Sequence, residues 1–355
     1  MQSILSDNYH VHFNEYSYRA LNAFILENSP SKIFILVDEN THDHCAPILL
    51  SNLETHCEIE MLEIESGEAH KNLDTCMGLW QTLTELGADR KSLLINLGGG
   101  VITDMGGFIA STFKRGIWFV NIPTTLLSMV DASVGGKTGV DLGVLKNQIG
   151  LFSYPEMVLI DPDYLETLPE RETISGLAEI IKYGLTFDTR IWDLIRNYKT
   201  IDVQELKKLI HPSITIKNNV VLKDPKEANL RKVLNFGHTL GHAIESYFLD
   251  SDTKETITHG EAIAIGMVCA AYISYKQLDF PIDKVEEIKH HILQIYDKVN
   301  IEQEDYKAIL ALLIHDKKNV GSELNFVLLK DLSKWVIDCK VPTDIITASL
   351  DYYNC

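Results

Sequence analysis

Three histidines and one glutamate carry the densest chemistry in the 355-residue sequence. His238 and His242 stand at i, i+4 in Asn235-Phe-Gly-His238-Thr-Leu-Gly-His242 and share one helix face. His259 lies in Thr258-His259-Gly-Glu261, where Thr258 and Glu261 form a capping-box pattern that puts the histidine in a first turn. Glu179 precedes Lys182 by three residues in SGLAEIIKYG, on one face of another helix. Three protein ligands from such a set leave a position open on a tetrahedral Zn²⁺, the arrangement of a catalytic zinc site. Spacing alone favours His238 and His242 as the ligand pair, although the segment is not HExxH because residue 239 is Thr. A structural or surface histidine pair satisfies the same spacing. Gly237 and Gly241 each cost a helix about 1 kcal/mol against Ala, so their presence predicts that something approaches this helix closely.

Two glycine-rich segments add anion chemistry. Gly98-Gly99-Gly100 follows the apolar run LLINL and opens a helix through Val101-Ile102-Thr103-Asp104, where backbone N–H groups can meet a phosphate. The dinucleotide fingerprint is incomplete, since Thr103 occupies its third glycine position, and a tight strand-to-helix turn accounts for the same glycines. Asp104 reads either as a helix-start carboxylate or as an acceptor for nicotinamide-ribose hydroxyls. Gly135-Gly136-Lys137-Thr138 is not a Walker loop, because Asp131 stands where that pattern needs its first glycine and 126–134 reads as helical. What is left is a flexible loop carrying Lys137 and Lys146, with Asn147 beside the second. These are compact charges for a phosphate or carboxylate, or else solvated lysines.

Such residues need elements to hold them. Strands are predicted at 33–37, 58–64, 93–97, 118–122 and 157–160, with helices at 73–86 and 101–113 between them. The first, third and last runs are continuously apolar, as parallel strands covered on both faces must be. This βαβ alternation predicts an open α/β sheet whose ligand sits beyond the strand ends. From 168 on, helix follows helix: 170–185, 191–198, 203–221, 236–248, 260–275, 285–295 and 306–315, with strand-like stretches at 324–329 and 335–337. Thr167-Leu-Pro-Glu170 is a capping-box pattern at the start of the first. The expected fold class is α/β: a Rossmann-like nucleotide-binding domain over 1–166, an all-helical metal- and substrate-binding domain over 167–355, and a cleft between them.

Bulk composition limits the partners. Fifty acidic residues against 32 basic ones leave a formal net charge of −18, the wrong sign for nucleic acid. A pocket can still gather local Lys and Arg around a small anion. With 45% hydrophobic and 23% charged residues, the chain can bury a sizeable core. Six scattered cysteines without a CxxC pair fit a reducing compartment and packing roles. The N-terminal MQSILSDNYHVHF does not read as a signal peptide, and no window nears about 18 consecutive apolar residues. A soluble cytoplasmic protein without a membrane partner is expected.

Between SGEAHK (66–71) and HDKKNVG (315–321) run, in order, GGGVITDMGGFIASTFKRGIWFVNIPTTLLSMVDASVGGKTG, LKNQIG, SGLAEIIKYG, LRKVLNFGHTLGHAIE and HGEAIAIGM. Together these segments resemble the 3-dehydroquinate synthase family of sugar-phosphate cyclases. The resemblance implies a dehydroquinate synthase-like fold and a lyase that turns 3-deoxy-D-arabino-heptulosonate 7-phosphate into 3-dehydroquinate and phosphate, in the shikimate pathway. It implies catalytic NAD, a divalent metal (Zn²⁺ or Co²⁺), and a sequence of transient oxidation, phosphate elimination, re-reduction and intramolecular aldol closure.

Carried over by position, the metal ligands are Glu179, His238 and His259, which moves His242 to the substrate side. Cofactor contacts fall to Asp38, Asn40, Glu68, Lys71, Gly99, Gly100, Asp104, Thr124, Thr125, Lys137, Lys146 and Thr167. Catalytic and substrate contacts fall to Asp131, Lys137, Asn147, Lys182, Lys217, Arg231, Asn235, His242 and one of Lys317 and Lys318. Arg115 matches an arginine lent across a dimer interface, which implies a homodimer. Asp141 departs from the family's usual Asn, and 249–256 is longer than usual. Two other readings share much of this inventory: a cyclase acting on a heptulose phosphate or glucose 6-phosphate, and a metal-dependent polyol dehydrogenase of the glycerol dehydrogenase type.

Overall fold

The computed structural model describes residues 2–143, 145–197, 203–251, 253–314 and 324–355. It divides into two compact units. The first, Met1–Thr173 with Val203–Asn218, runs past the division expected at 166/167 and takes in a later segment as well. The second comprises Ile174–Asp202 and Asn219–Cys355.

In chain order the first unit contains β1 (Ile4–Leu5), β2 (His10–Phe13), α1 (Glu15–Asn28), β3 (Ile33–Asp38), α2 (Glu39–His44), α3 (Ala46–Asn52), β4 (Ile59–Ile64), α4 (Leu73–Glu85), β5 (Leu93–Gly98), α5 (Gly100–Thr112), β6 (Trp118–Pro123), β7 (Lys137–Leu142), β8 (Leu145–Phe152) and β9 (Met157–Ile160). Its main sheet has the order β1-β2-β9-β6-β5-β3-β4, parallel except for the β1–β2 pair. The buried runs of β3, β5 and β9 are the apolar segments seen in sequence, and each buried Ile, Leu or Val contributes about 1.5–3 kcal/mol. Alternate residues Phe34, Leu36 and Leu94 pack with Leu79, Leu83, Ile102, Met105 and Phe119 into one core on one face of the sheet.

The chain leaves β3 for β4 on one side and returns to β5 on the other, so the switch point lies between β3 and β5. Ligands of open α/β sheets bind beyond the strand ends at such a point. There Asp38 ends β3, Gly98 ends β5, and Thr124 and Thr125 follow β6.

The 126–152 region bears out one expectation and corrects another. The helix predicted over 126–134 is present at 126–132, α-helical at its first two residues and π-helical over Ser128–Ala132. The loop predicted at Lys137 is the start of the antiparallel β7–β8 hairpin, which pairs Lys137 with Phe152 and Gly139 with Gly150. The hairpin lies on α5, where Gly107 leaves room for Thr138.

The second unit holds most of α6 (Glu170–Thr186), α7 (Thr189–Ile195), the end of α8 (Val203–Lys223), α9 (His238–Asp250), α10 (His259–Leu278), α11 (Ile282–Ile295), α12 (Gln303–Ile314) and α13 (Thr343–Asn354). It is not all-helical: β10 (Asn325–Asp331) and β11 (Lys334–Lys340) form an antiparallel hairpin. Helix α10 is buried around most of its circumference, as a central helix must be, and packs against α9, α11, α13 and β10. Among the described residues no helix is long and apolar enough to cross a membrane.

Candidate active site

Close helix packing brings the histidines of the second unit together. The N-cap of α9 is Gly237, held at φ +79°, a left-handed conformation that glycine adopts without strain. A Cβ on Gly266 of α10 would run into the Gly237 carbonyl, and one on Gly241 would lie 3.0 Å from Ala262 O. One on Gly260 would strike the backbone of Ser175 in α6, whose hydroxyl accepts the Gly260 N–H at 3.0 Å. The close approach predicted from Gly237 and Gly241 is therefore that of α10. Thr258 and Glu261 form the capping box expected at its start, with His259 as the first helical residue.

Glu179 of α6, His238 and His242 of α9, and His259 of α10 converge at these crossings. Glu179 Oε1 lies 3.2 Å from His238 Nε2 and 3.6 Å from His259 Nε2. One ring nitrogen from each of His238, His242 and His259 lies within 4.8 Å of the others. His238 Nδ1 donates to Phe236 O at 3.1 Å, and a carbonyl can only accept, so in the neutral ring Nε2 carries the lone pair. His259 Nδ1 likewise faces Glu245 Oε2 at 3.1 Å. Two imidazole nitrogens and a carboxylate oxygen thus point at one another, an array that a cation among them satisfies.

Glu179 supplies the independent sign. Its Oε2 accepts from the Lys182 ammonium, while its Oε1 is buried and accepts no hydrogen bond among the described residues. One carboxylate oxygen and two imidazole nitrogens, with His242 beside them, fit Zn²⁺ or Co²⁺. Burial opposes ionisation of Glu179, yet Lys182 and His238 hold its carboxyl well below the usual carboxylate range. Burial, with Lys182, lowers His238. Burial also pulls His259 down, but Glu245 and Glu179 outweigh it and push it up to about 10. A bound cation must displace that proton.

The first unit carries a second polar cluster. Lys71 is buried, and its Nζ donates to Asp104 Oδ2 at 2.7 Å and to Asn147 Oδ1 at 2.8 Å. Lys146 Nζ pairs with Glu68 Oε1 at 2.8 Å, and the Asn147 N–H donates to Asp141 Oδ1 at 2.6 Å. Asp141, the departure noted in sequence, thus holds the backbone of Asn147, itself left-handed at φ +50°. At the switch point the Thr124 N–H donates to Gly98 O at 3.0 Å, and a Cβ on Gly99 would press on Thr125. Gly99 brings no side-chain cap to the first amides of α5, the kind of helix start that can receive an anion. Asp38 caps α2 through the Thr41 N–H at 2.8 Å, with Asn40 exposed beside it.

Lys71→Met is expected to cost roughly 3 kcal/mol in urea unfolding at pH 7, because it leaves Asp104 without its ammonium. Burial already raises Asp104 against the pull of Lys71. With Lys71 gone the folded carboxyl rises further, so the deficit must shrink as pH falls through that raised value. A deficit that stays flat into acid would contradict the pairing.

Other expected residues stand as follows. Lys217 Nζ bonds Asp131 Oδ1 at 2.9 Å, joining two of them in the first unit. In the second unit, Asn235 Nδ2 donates to Glu227 Oε1, and Arg231 Nη1 donates to Pro225 O at 2.9 Å. Arg115 is exposed at φ +70°, after Lys114 at φ +50°. Lys137 is exposed at the start of β7. Thr167 does not cap α6: its hydroxyl turns to Tyr164 O at 3.4 Å, and the Glu172 and Thr173 amides bond Pro169 O. Lys317 and Lys318 lie outside the described residues. Glu245 and Glu227 were not singled out in sequence. The signal for Glu245 was its place seven residues after His238, on the same helical stripe.

Residues 61–175 match the family model described as 3-dehydroquinate synthase N-terminal, and 176–319 the one described as 3-dehydroquinate synthase C-terminal. The chain belongs to the 3-dehydroquinate synthase family. Among curated members, the 3-dehydroquinate synthase of Parabacteroides distasonis is 41% identical over 336 residues, covering 94% of each chain. Solved structures show how widely the fold is shared. The 2-epi-5-epi-valiolone synthase of Streptomyces hygroscopicus subsp. jinggangensis 5008, with NAD⁺ and Zn²⁺ bound, superposes with TM-score 0.86 at 24% identity, covering 99% of this chain and 98% of that one. Glycerol dehydrogenase from Schizosaccharomyces pombe gives 0.67 at 13% identity, covering 99% and 90%. Both solved structures share the fold at 24% identity or less, whereas 41% identity over nearly the whole length is found with a member of the 3-dehydroquinate synthase family.

Proposed function

We propose that the chain is a 3-dehydroquinate synthase, converting 3-deoxy-D-arabino-heptulosonate 7-phosphate into 3-dehydroquinate and phosphate. The observation that carries the reading is the acceptor-lined centre at Glu179, His238 and His259, in a chain of this family. When bound, NAD supplies a transient hydride acceptor and the metal a Lewis acid at a substrate hydroxyl.

The chain's own residues do the rest. Glu179, His238 and His259 hold the metal. Lys182 neutralises Glu179 and directs its other oxygen to the metal side. His242 stands where an imidazole can take or return a proton. In the second unit Lys182, Arg231 and Asn235 contact substrate, as do Asp131, Lys137, Asn147, Lys217 in the first, with one of Lys317 and Lys318. Asp38, Asn40, Glu68, Lys71, Gly99, Gly100, Asp104, Thr124, Thr125, Lys137, Lys146 and Thr167 serve NAD. The placement of Asp38, Gly99, Thr124 and Thr125 around one switch point supports that assignment. The reading includes a cytoplasmic homodimer that shares Arg115, a residue exposed on the single chain.

The test incubates the protein with this substrate, Zn²⁺ and catalytic NAD⁺. Phosphate and 3-dehydroquinate in equal amounts, without net NADH, is the expected result. No phosphate from this substrate, with heptulose phosphates, glucose 6-phosphate or polyols consumed instead, would overturn it.

A further inference from the structure

Glu245 is a carboxylate that the proposed chemistry leaves unused. It is only 8% exposed, and a buried carboxylate is costly unless something pairs with it. It follows His238 by seven residues and His242 by three, so α9 presents His238, His242 and Glu245 along one stripe. Its Oε2 lies 3.1 Å from His259 Nδ1, across the α9–α10 crossing that Gly237, Gly241 and Gly266 hold close.

We propose that Glu245 is a positioning residue of the metal centre, fixing the ring and tautomer of His259. An ionised carboxylate can only accept, so it keeps hydrogen on Nδ1 and frees Nε2, the nitrogen that faces Glu179 Oε1. His238 is oriented by a different device, the neutral carbonyl of Phe236. The two imidazoles are therefore unequal ligands. A carboxylate behind an imidazole makes it the stronger base, so His259 gains donor strength that His238 does not. A purely structural salt bridge would tie α9 to α10 without bearing on what Nε2 binds.

The inference rests on the reading of Glu179, His238 and His259 as metal ligands, and Co²⁺ separates the two. Metal-stripped full-length protein is titrated with Co²⁺, following heat and the visible ligand-field bands, for wild type, Glu245→Gln and Glu245→Asp. Wild type is expected to bind one Co²⁺ per chain. Glu245→Gln keeps the shape but not the charge, and is expected to bind roughly 10–100-fold more weakly with displaced bands, at unchanged far-ultraviolet circular dichroism. Glu245→Asp keeps the charge at shorter reach and should lose less; it decides the matter if the Gln variant does not fold. Wild-type affinity and bands in the folded variants would overturn the inference and leave the metal site standing. No Co²⁺ uptake by wild type would overturn both.

Discussion

Glu179→Gln is expected to abolish turnover, by about 10³-fold or more, and to destabilise the fold at the same time. The activity loss follows from the proposed role of Glu179 as a metal ligand: a Lewis acid is worth several kcal/mol of transition-state stabilisation, at about 1.4 kcal/mol per tenfold in rate. The stability loss follows from Lys182, an almost fully buried ammonium that would lose its carboxylate partner. Breaking a buried pair on one side costs about 3–5 kcal/mol, whereas removing both partners can be nearly neutral. The double variant Glu179→Gln/Lys182→Met should therefore recover most of the urea midpoint and none of the activity. Because the folded carboxyl is held below its unfolded value, the ion pair's contribution is fully present above the ordinary carboxylate range. It is lost as pH falls through the lower folded value. The stability gap between wild type and Glu179→Gln should accordingly be level at neutral pH and close only in strong acid. A single variant as stable as wild type at pH 7 would disprove the coupling.

Gly266→Ala should reverse the usual sign of a helical glycine replacement. In a free helix the change gains about 1 kcal/mol. At Gly266 the new methyl meets the Gly237 carbonyl, so α9 and α10 must separate, and overpacking of this kind costs typically about 1–3 kcal/mol. The separation also moves His238 and His242 away from His259, so bound metal should fall with stability. Gly78→Ala is the control: Gly78 lies exposed in α4 with nothing within 4 Å of the added carbon, and should gain stability. Equal effects at the two sites in thermal unfolding would refute the close-packing account.

The parallel strands were legible because burial on both faces writes continuous apolar runs, and β9 falls at the predicted 157–160. The β7–β8 hairpin was not. The segment carrying Lys137 and Lys146 reads as a flexible loop, yet Gly139 and Gly150 face each other across a ladder there, and a Cβ on Gly139 would meet Ile149 O at 2.5 Å. Helices α1 and α13 also lie outside the predicted elements. Helix spacing alone paired His238 with His242, since periodicity sees one helix at a time. Glu179 and His259 meet His238 only through the crossings of α6 and α10, which a linear pattern does not encode. Asp141 shows the converse: its identity was visible, but its hold on the Asn147 backbone depends on a turn between paired strands.

Helix α8 has a consequence for how the chain can be made. Its residues 203–218 belong to the sheet-bearing unit, burying Leu206, Leu209, Ile210 and Ile214, and the Asn218 side chain donates to Leu5 O at 2.9 Å. On the ribosome, the strands are all present once Ile160 has emerged, but their unit lacks one wall until Asn218 follows. Between Thr173 and Asn218 lie roughly 45 residues, about 2–9 s of synthesis at roughly 5–20 residues per second. During that interval apolar surface destined for the helix stands open to chaperones and to neighbouring nascent chains. No single cut in the gene, moreover, can release either half as a complete folding unit.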